Sequence, residues 1–126
     1  MPASFDYAIV RVVPRVEREE FINAGVIVFC LEKRYLAARI HLDEARLKAL
    51  WPETDLDLVR EHLSAIERIC AGDAAAGPIA CLSQRERFHW LVAARSTIIQ
   101  TSPTHTGICE GTDDLLDRLE KQFLLS

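Results

Sequence analysis

Apolar runs in the first third of the chain predict three β-strands. Residues 5–13 are rich in β-branched and aromatic side chains and stop at Pro14, which is typical of a strand. Residues 25–31 form an unbroken apolar run, which predicts a strand covered on both faces. After a short polar turn, residues 35–40 predict the return strand, whereas the charged segment 15–23 predicts a loop or a single helical turn. The three strands most simply form an antiparallel meander.

Capping residues and helical periodicity then predict two helices. Asp43 is the expected N-cap of a short helix that ends at Pro52. Thr54 is the expected cap of a longer helix that ends at Gly72. Apolar residues repeat along this second helix at spacings of three and four, which predicts one buried face: Leu56, Val59, Leu63, Ile66 and Cys70.

Two further helices are predicted in the second half of the chain. After a small-residue linker at 73–78, Ser83 and Glu86 form a capping box that opens a helix reaching about Ala94. Thr112 is the expected cap of the last helix. Its buried face is predicted to consist of Leu115, Leu116, Leu119 and Phe123.

These elements predict a single α+β domain over residues 1–126. Residues 95–100 predict a fourth strand, and residues 102–111 predict a loop. We therefore expect a three- to four-stranded, mainly antiparallel sheet packed with about four helices. The apolar run 25–31 requires cover on both sides, from helices or from a second copy of the chain.

Composition places the protein among ordinary globular domains. Hydrophobic residues make up 49% and charged residues 27% of the 126 residues. No apolar run approaches the ~20 residues of a membrane-spanning helix, and the N-terminus lacks the pattern of a secretion signal. We therefore expect a cytoplasmic protein without membrane contact. In that reducing compartment we expect the four cysteines to be reduced thiols. They contain no CxxC pair, so we expect no structural metal, and we expect no cofactor.

Charge is unevenly distributed along the chain. The formal net charge is −4, which argues against a general nucleic-acid binder. Only residues 83–109 are clearly basic, with three arginines against one glutamate, and they also contain two of the four histidines. We therefore expect most of the candidate site residues in this stretch.

Arg11 lies inside the first predicted strand. Alternation places it on the same face as Tyr7 and Ile9, so its guanidinium requires an anionic partner. That partner is either a structural carboxylate, Glu19 or Glu20, or a bound ligand.

The helix predicted from residue 83 carries Arg87 and His89. A projection at 100° per residue buries Phe88 and places Arg85 and Arg87 on opposite sides of the buried face. The arginines are then either a charged rim or ligand contacts. His89 is a candidate general base.

Residues 95–107 contain an unusual density of polar side chains. Hydroxyls, an amide, an arginine and a histidine at a strand-to-loop junction suit the binding of phosphate or another oxyanion. The same side chains can also satisfy loop backbone groups without a ligand. The candidates in this segment are Arg95, Ser96, Thr97, Gln100 and His105.

The chain resembles a bacterial family of unknown function, DUF3037, over nearly its whole length. The stretches that carry the resemblance are 7–14, 20–29, 82–91 and 95–107. They include the polar positions above and add Glu20 and Asn23 as candidate ligand contacts. The resemblance implies no catalytic assignment. It does imply a role as a small partner of a HipA-like kinase, because such domains are associated with neighbouring genes for these kinases.

Three functions follow from these observations. The first is a non-enzymatic binding or accessory module, whose partner is a protein or a phosphorylated ligand. The second is a small hydrolase or nuclease that uses His89 and His105 as acid and base, with Arg95 holding the oxyanion. The third is a structural homodimer without a ligand. The surface predicted for the first function combines Arg11, Asn23, Arg87, His89, Arg95, Gln100 and His105.

Overall fold

A computed structural model describes residues 2–125 of the chain. Three short 3-10 turns, Val16–Arg18, Ala74–Ala76 and Pro78–Cys81, connect its longer elements. The strands are β1 (Ala3–Val12), β2 (Ile22–Cys30), β3 (Tyr35–Ile40), β4 (Ile99–Thr101) and β5 (His105–Cys109). The helices are α1 (Glu44–Leu50), α2 (Leu56–Ala71), α3 (Gln84–Leu91) and α4 (Leu115–Phe123).

All strand pairs are antiparallel, with β1 in the middle of the sheet. The order runs β3-β2-β1, and both β4 and β5 pair with the free side of β1. Residues 3–7 of β1 pair with β5, and residues 10–12 pair with β4. The structure confirms the α+β class, the antiparallel meander and the four predicted helices, and it adds one strand to the upper number predicted.

A β-bulge in β2 changes the register beside Arg11. Val10 pairs with Gly25, but the next residue of β1, Arg11, pairs with Asn23, so Ala24 is the extra residue of β2. The bulge makes Arg11 and Asn23 direct cross-strand neighbours. Without the bulge, Arg11 would pair with Ala24.

The chain's own helices cover both faces of the sheet. One face, here the α2–α3 face, includes Ile27 and Phe29, and the ring of Phe29 stacks on Phe88 of α3 with 5.3 Å between centroids. The other face, here the α4 face, packs Val26 and Val28 together with residues of α4. The predicted cover on both sides is therefore confirmed for residues 25–30, and helices supply it, whereas Leu31 is exposed in the turn that follows β2. Within residues 2–125, no helix has both the length and the apolar character that crossing a membrane requires.

Local capping signals were largely predicted correctly. Asp43 accepts from the backbone N–H of Arg46, and the Ser83–Glu86 capping box opens α3. Gly72 ends α2 with a φ of 74°, a left-handed conformation that favours glycine. The cap predicted at Thr54 was wrong. Asp55 caps α2 by accepting from Leu58, while the Thr54 hydroxyl donates to a carbonyl of the preceding turn.

The end of α3 and the start of α4 also differ from prediction. Helix α3 ends at Leu91 rather than near Ala94, and the side chain of Arg95 donates to its last carbonyls. The N-cap residue of α4 is Asp114, and Thr112 contributes its carbonyl rather than its hydroxyl. The linker 73–78 contains one whole 3-10 turn, Ala74–Ala76, and the first residue of a second, so it has more regular structure than its small residues suggest.

The predicted strand 95–100 and loop 102–111 both required correction. The fourth strand is short, Ile99–Thr101, and residues 105–109 form β5 instead of a loop. Gly107 of β5 pairs with Phe5, and a Cβ at Gly107 would lie 2.5 Å from that ring. Gly107, which was predicted to lie in a loop, is therefore required within the sheet because its backbone contacts the ring of Phe5.

Candidate functional site

Three of the predicted site residues form one row across the sheet. Arg11 of β1 pairs with Asn23 of β2 on one side and with Gln100 of β4 on the other. Directly opposed residues of antiparallel strands point to the same face, so these three side chains are neighbours. Alternation along β1 assigns them to the α4 face. We call this set, Arg11, Asn23 and Gln100, the Arg11 row.

The guanidinium of Arg11 lies on an aromatic ring and lacks a carboxylate. Its Cζ atom lies 4.2 Å from the ring centroid of Phe21. Its Nε atom is buried and has no hydrogen-bond partner within residues 2–125. The predicted structural pair is not formed, since Glu20 pairs with Arg18 and Arg11 takes part in no ion pair of the described chain. A buried donor without an acceptor costs about 1–3 kcal/mol, so this position requires an explanation.

The side chains of Gln100 and Thr97 donate hydrogen bonds to backbone carbonyls of the segment that leads into and begins β4. The side-chain amide of Gln100 donates to the carbonyl of Thr97 at 2.8 Å. The Thr97 hydroxyl donates to the carbonyl of Ile99 at 2.9 Å. These two bonds agree with the alternative interpretation of residues 95–107, in which the polar side chains of a loop bond to backbone groups of the same loop. Ser96, beside them, is exposed.

Arg87 is engaged in holding two helices together. Its Nη1 atom donates to the carbonyls of Ile69 and Cys70, both at 2.8 Å, and its Nε atom donates to the carbonyl of Leu82 at 3.0 Å. Ile69 and Cys70 lie in the last turn of α2, where backbone carbonyls have no partner within the helix. Arg87 is therefore a C-terminal cap from a distant part of the chain, and its favourable interaction with the helix dipole adds to this role.

Arg95 has a similar role at the end of α3. Its guanidinium donates to the carbonyls of Trp90 and Leu91. The same group lies over the indole of Trp90, 4.4 Å from the ring centroid. Arg95 thus caps the helix that precedes it and stacks on an exposed aromatic side chain.

A cleft of about 350 Å³ adjoins Arg95 on the α2–α3 face. Residues of α2, the end of α3 and the segment leading into β4 line it, and its walls are mainly apolar. We call it the Trp90 cleft, and its polar or aromatic lining residues are His62, Trp90, Arg95 and Thr97. The Arg11 row and the Trp90 cleft lie on opposite faces of the sheet, so the predicted site residues do not form one pocket.

The sheet also separates the two candidate catalytic histidines. His89 is exposed on α3, whose Phe88 packs on the α2–α3 face. His105 is exposed on β5, and its imidazole lies 5.4 Å from the ring of Tyr7. Tyr7 in turn stacks on Phe123 of α4, which places His105 on the α4 face. The fold does not bring the proposed acid and base together.

A family model described as a protein of unknown function, DUF3037, matches residues 7–124. The chain belongs to the DUF3037 family. The match includes the whole Arg11 row and the whole Trp90 cleft. Comparisons with curated proteins and with solved structures gave no match. The family match confirms the resemblance to DUF3037. Because the family has no known function, a function has to be inferred from the geometry of the domain.

Sequence reasoning missed two residues of the DUF3037 domain that matter at these sites. Phe21 lies beneath the guanidinium of Arg11, and its position directly before β2, two residues before Asn23, was the available signal. Ser102 is the buried polar residue of the polar segment, and its hydroxyl accepts from the N–H of Ile9 at 2.8 Å. Nothing in the sequence separates Ser102 from its exposed neighbours, since its partner lies 93 residues away.

Proposed function

We propose that this DUF3037 domain is a non-enzymatic binding module that receives an anionic group of a protein partner at the Arg11 row. The observation that carries the proposal is the buried Nε atom of Arg11, which has no acceptor within the described chain. An arginine inside a strand is normally paired with a carboxylate, and here the nearby Glu20 belongs to Arg18. A carboxylate or phosphate that binds the guanidinium would supply the missing acceptor, provided that the side chains that bury the Nε atom move aside.

The surroundings of Arg11 favour recognition of a planar or tetrahedral oxyanion. Stacking on Phe21 restrains the guanidinium, so less side-chain freedom is lost when an anion binds. Asn23 is exposed beside it and adds an amide that can donate to the same anion. Phe21 itself is 44% exposed, which offers a partner an apolar contact next to the charge.

The partner that we propose is a HipA-like kinase, as the family resemblance suggests, in the cytoplasm. No observation favours the hydrolase or nuclease, because His89 and His105 lie on opposite sides of the sheet. The homodimer loses its main physical argument, because helices of the same chain already cover both sides of the sheet.

Binding of the purified full-length domain to a purified HipA-like kinase from the same organism tests the proposal. Arg11→Met keeps the aliphatic bulk and removes the donors, and Arg46→Met removes an exposed arginine of α1 as a matched control. We expect calorimetry to show at least a tenfold weaker affinity for Arg11→Met and an unchanged affinity for Arg46→Met. Equal affinities of the two variants would reject the Arg11 row as the binding surface.

A further inference from the structure

The Trp90 cleft has features of a second, independent binding site. We propose that it binds a small apolar molecule that carries one anionic group, such as a carboxylate or a sulfonate. It lies on the opposite face of the sheet from the Arg11 row, so this inference does not depend on the function proposed above.

Size and lining favour a small-molecule ligand. The volume of about 350 Å³ lies at the lower end of the range of pockets that bind small molecules. Ile66, Leu91 and Ile99 contribute apolar walls, and Trp90 at the rim is 42% exposed. Covering these surfaces with an apolar ligand removes them from water, which is the main favourable contribution expected on binding.

The charge of the lining residues indicates that the ligand carries an anionic group. The lining contains one permanent cation, Arg95, together with the imidazole of His62, and no carboxylate. An anionic ligand is therefore favoured over a neutral or cationic one of the same size.

Arg95 is held in position at the rim of the cleft. Stacking on Trp90 and two hydrogen bonds to the carbonyls of Trp90 and Leu91 fix its guanidinium. A guanidinium has five N–H donors, so three remain for an oxyanion. The contacts that cap α3 thus also prepare the cation for a ligand, with little further loss of side-chain freedom on binding.

Two fluorescent probes of similar shape test the proposal on the full chain. 8-Anilinonaphthalene-1-sulfonate carries an anionic group, and N-phenyl-1-naphthylamine is its neutral analogue. We expect the sulfonate to bind saturably at one site, to quench Trp90 and to bind roughly tenfold more tightly than the neutral probe. The quenching should be absent in Trp90→Phe.

Variants separate the cleft from other surfaces. Ala65→Leu on the cleft wall should weaken both probes about tenfold, whereas Ala45→Leu on the exposed side of α1 should change neither. Arg95→Gln should weaken the sulfonate and leave the neutral probe unchanged. Because Arg95 also caps α3, a competition that needs only the wild-type chain is included: decanoate should displace the sulfonate at about tenfold lower concentration than decanol.

Three results would overturn the inference. The first is equal binding of the sulfonate to Ala65→Leu and to wild type. The second is equal displacement by decanoate and decanol. The third is a dimer in sedimentation that the probe dissociates, because a second copy of the chain would then occupy the cleft. Arg11→Met should leave probe binding unchanged, so failure of this site and failure of the Arg11 row are distinguishable.

Discussion

Arg11 and Phe21 form a cation–π pair, with 4.2 Å between the guanidinium carbon and the centroid of the phenyl ring. The pair joins a charge inside a strand to an aromatic ring that is 44% exposed. It holds the guanidinium without supplying a hydrogen-bond acceptor. This relationship is the physical basis of the proposed binding surface, since it restrains the cation and leaves its donors for a partner.

Arg11→Met should hardly change the stability of the isolated domain. The substitution removes a buried donor that has no acceptor in the described chain and keeps most of the aliphatic bulk. We expect the free energy of unfolding in urea to change by no more than about 1 kcal/mol, in either direction. A loss of several kcal/mol would show that Arg11 is a structural residue and would contradict its assignment to binding.

Arg87→Met should be clearly destabilising, in contrast to Arg11→Met. Arg87 donates to three backbone carbonyls, two of them in the last turn of α2, and their loss should cost about 2–3 kcal/mol in urea denaturation. Arg85→Met is the matched control, because Arg85 is exposed on the same helix and should be nearly neutral. Equal effects of the two substitutions would refute the capping role.

Gly107→Ala should destabilise the pairing of β5 with β1. A Cβ at this position would lie 2.5 Å from the Cζ atom of Phe5, so the ring or the strand has to move, at a cost of about 1–3 kcal/mol. Gly111→Ala is the control, since a Cβ there meets nothing within 4 Å. Thermal unfolding of both variants measures the difference, and a fully stable Gly107→Ala would contradict the observed register.

Cys70 should make stability fall at alkaline pH. Burial raises the pKa of the Cys70 thiol from its usual 9.0 to about 12 in the folded state. Above pH 9 the unfolded chain loses this proton while the folded chain retains it, so the stability contribution is full below pH 9 and is lost as the pH rises towards 12. Urea denaturation across this window should show a smaller decline for Cys70→Val than for wild type.

The exposed Cys81 provides the control for that experiment. Cys81→Ser should retain the wild-type pH dependence, because its side chain is not buried. The pKa of Cys109 is also raised by burial, so Cys70→Val should reduce the decline without abolishing it. Identical pH profiles for Cys70→Val and wild type would contradict the perturbed thiol.

Local signals predicted all four helices and four of the five strands, the fourth strand with bounds that were too long. The caps at Asp43 and Ser83 were readable because the bonds that they make reach only three residues along the chain. Strand β5 was not, because its pairing with β1 joins residues about a hundred positions apart. The pairing of Arg11 with Asn23 was also not predictable from the sequence, because it depends on the bulge. A regular ladder would pair Arg11 with Ala24.

The sequence predicted which residues could form the candidate site but not where the fold places them. Polar density and the family resemblance indicated Arg11, Asn23, Arg87, Arg95 and Gln100, and the fold gives them three different roles. Arg87 caps a helix whose end lies 17–18 residues earlier in the chain, which no local pattern shows. The Arg11 row and the Trp90 cleft separate because alternation sends neighbouring residues of β4 to opposite faces.

The most direct test of the proposed binding surface observes the Nε–H group of Arg11 by NMR while inorganic phosphate is added to the ¹⁵N-labelled chain. Absence of the signal in Arg11→Met assigns it. We expect this resonance to shift saturably while the Nε–H resonance of the exposed Arg46 stays in place. An unmoved Arg11 resonance in the folded protein, or equal shifts at Arg46, would contradict the assignment of the Arg11 row to anion binding.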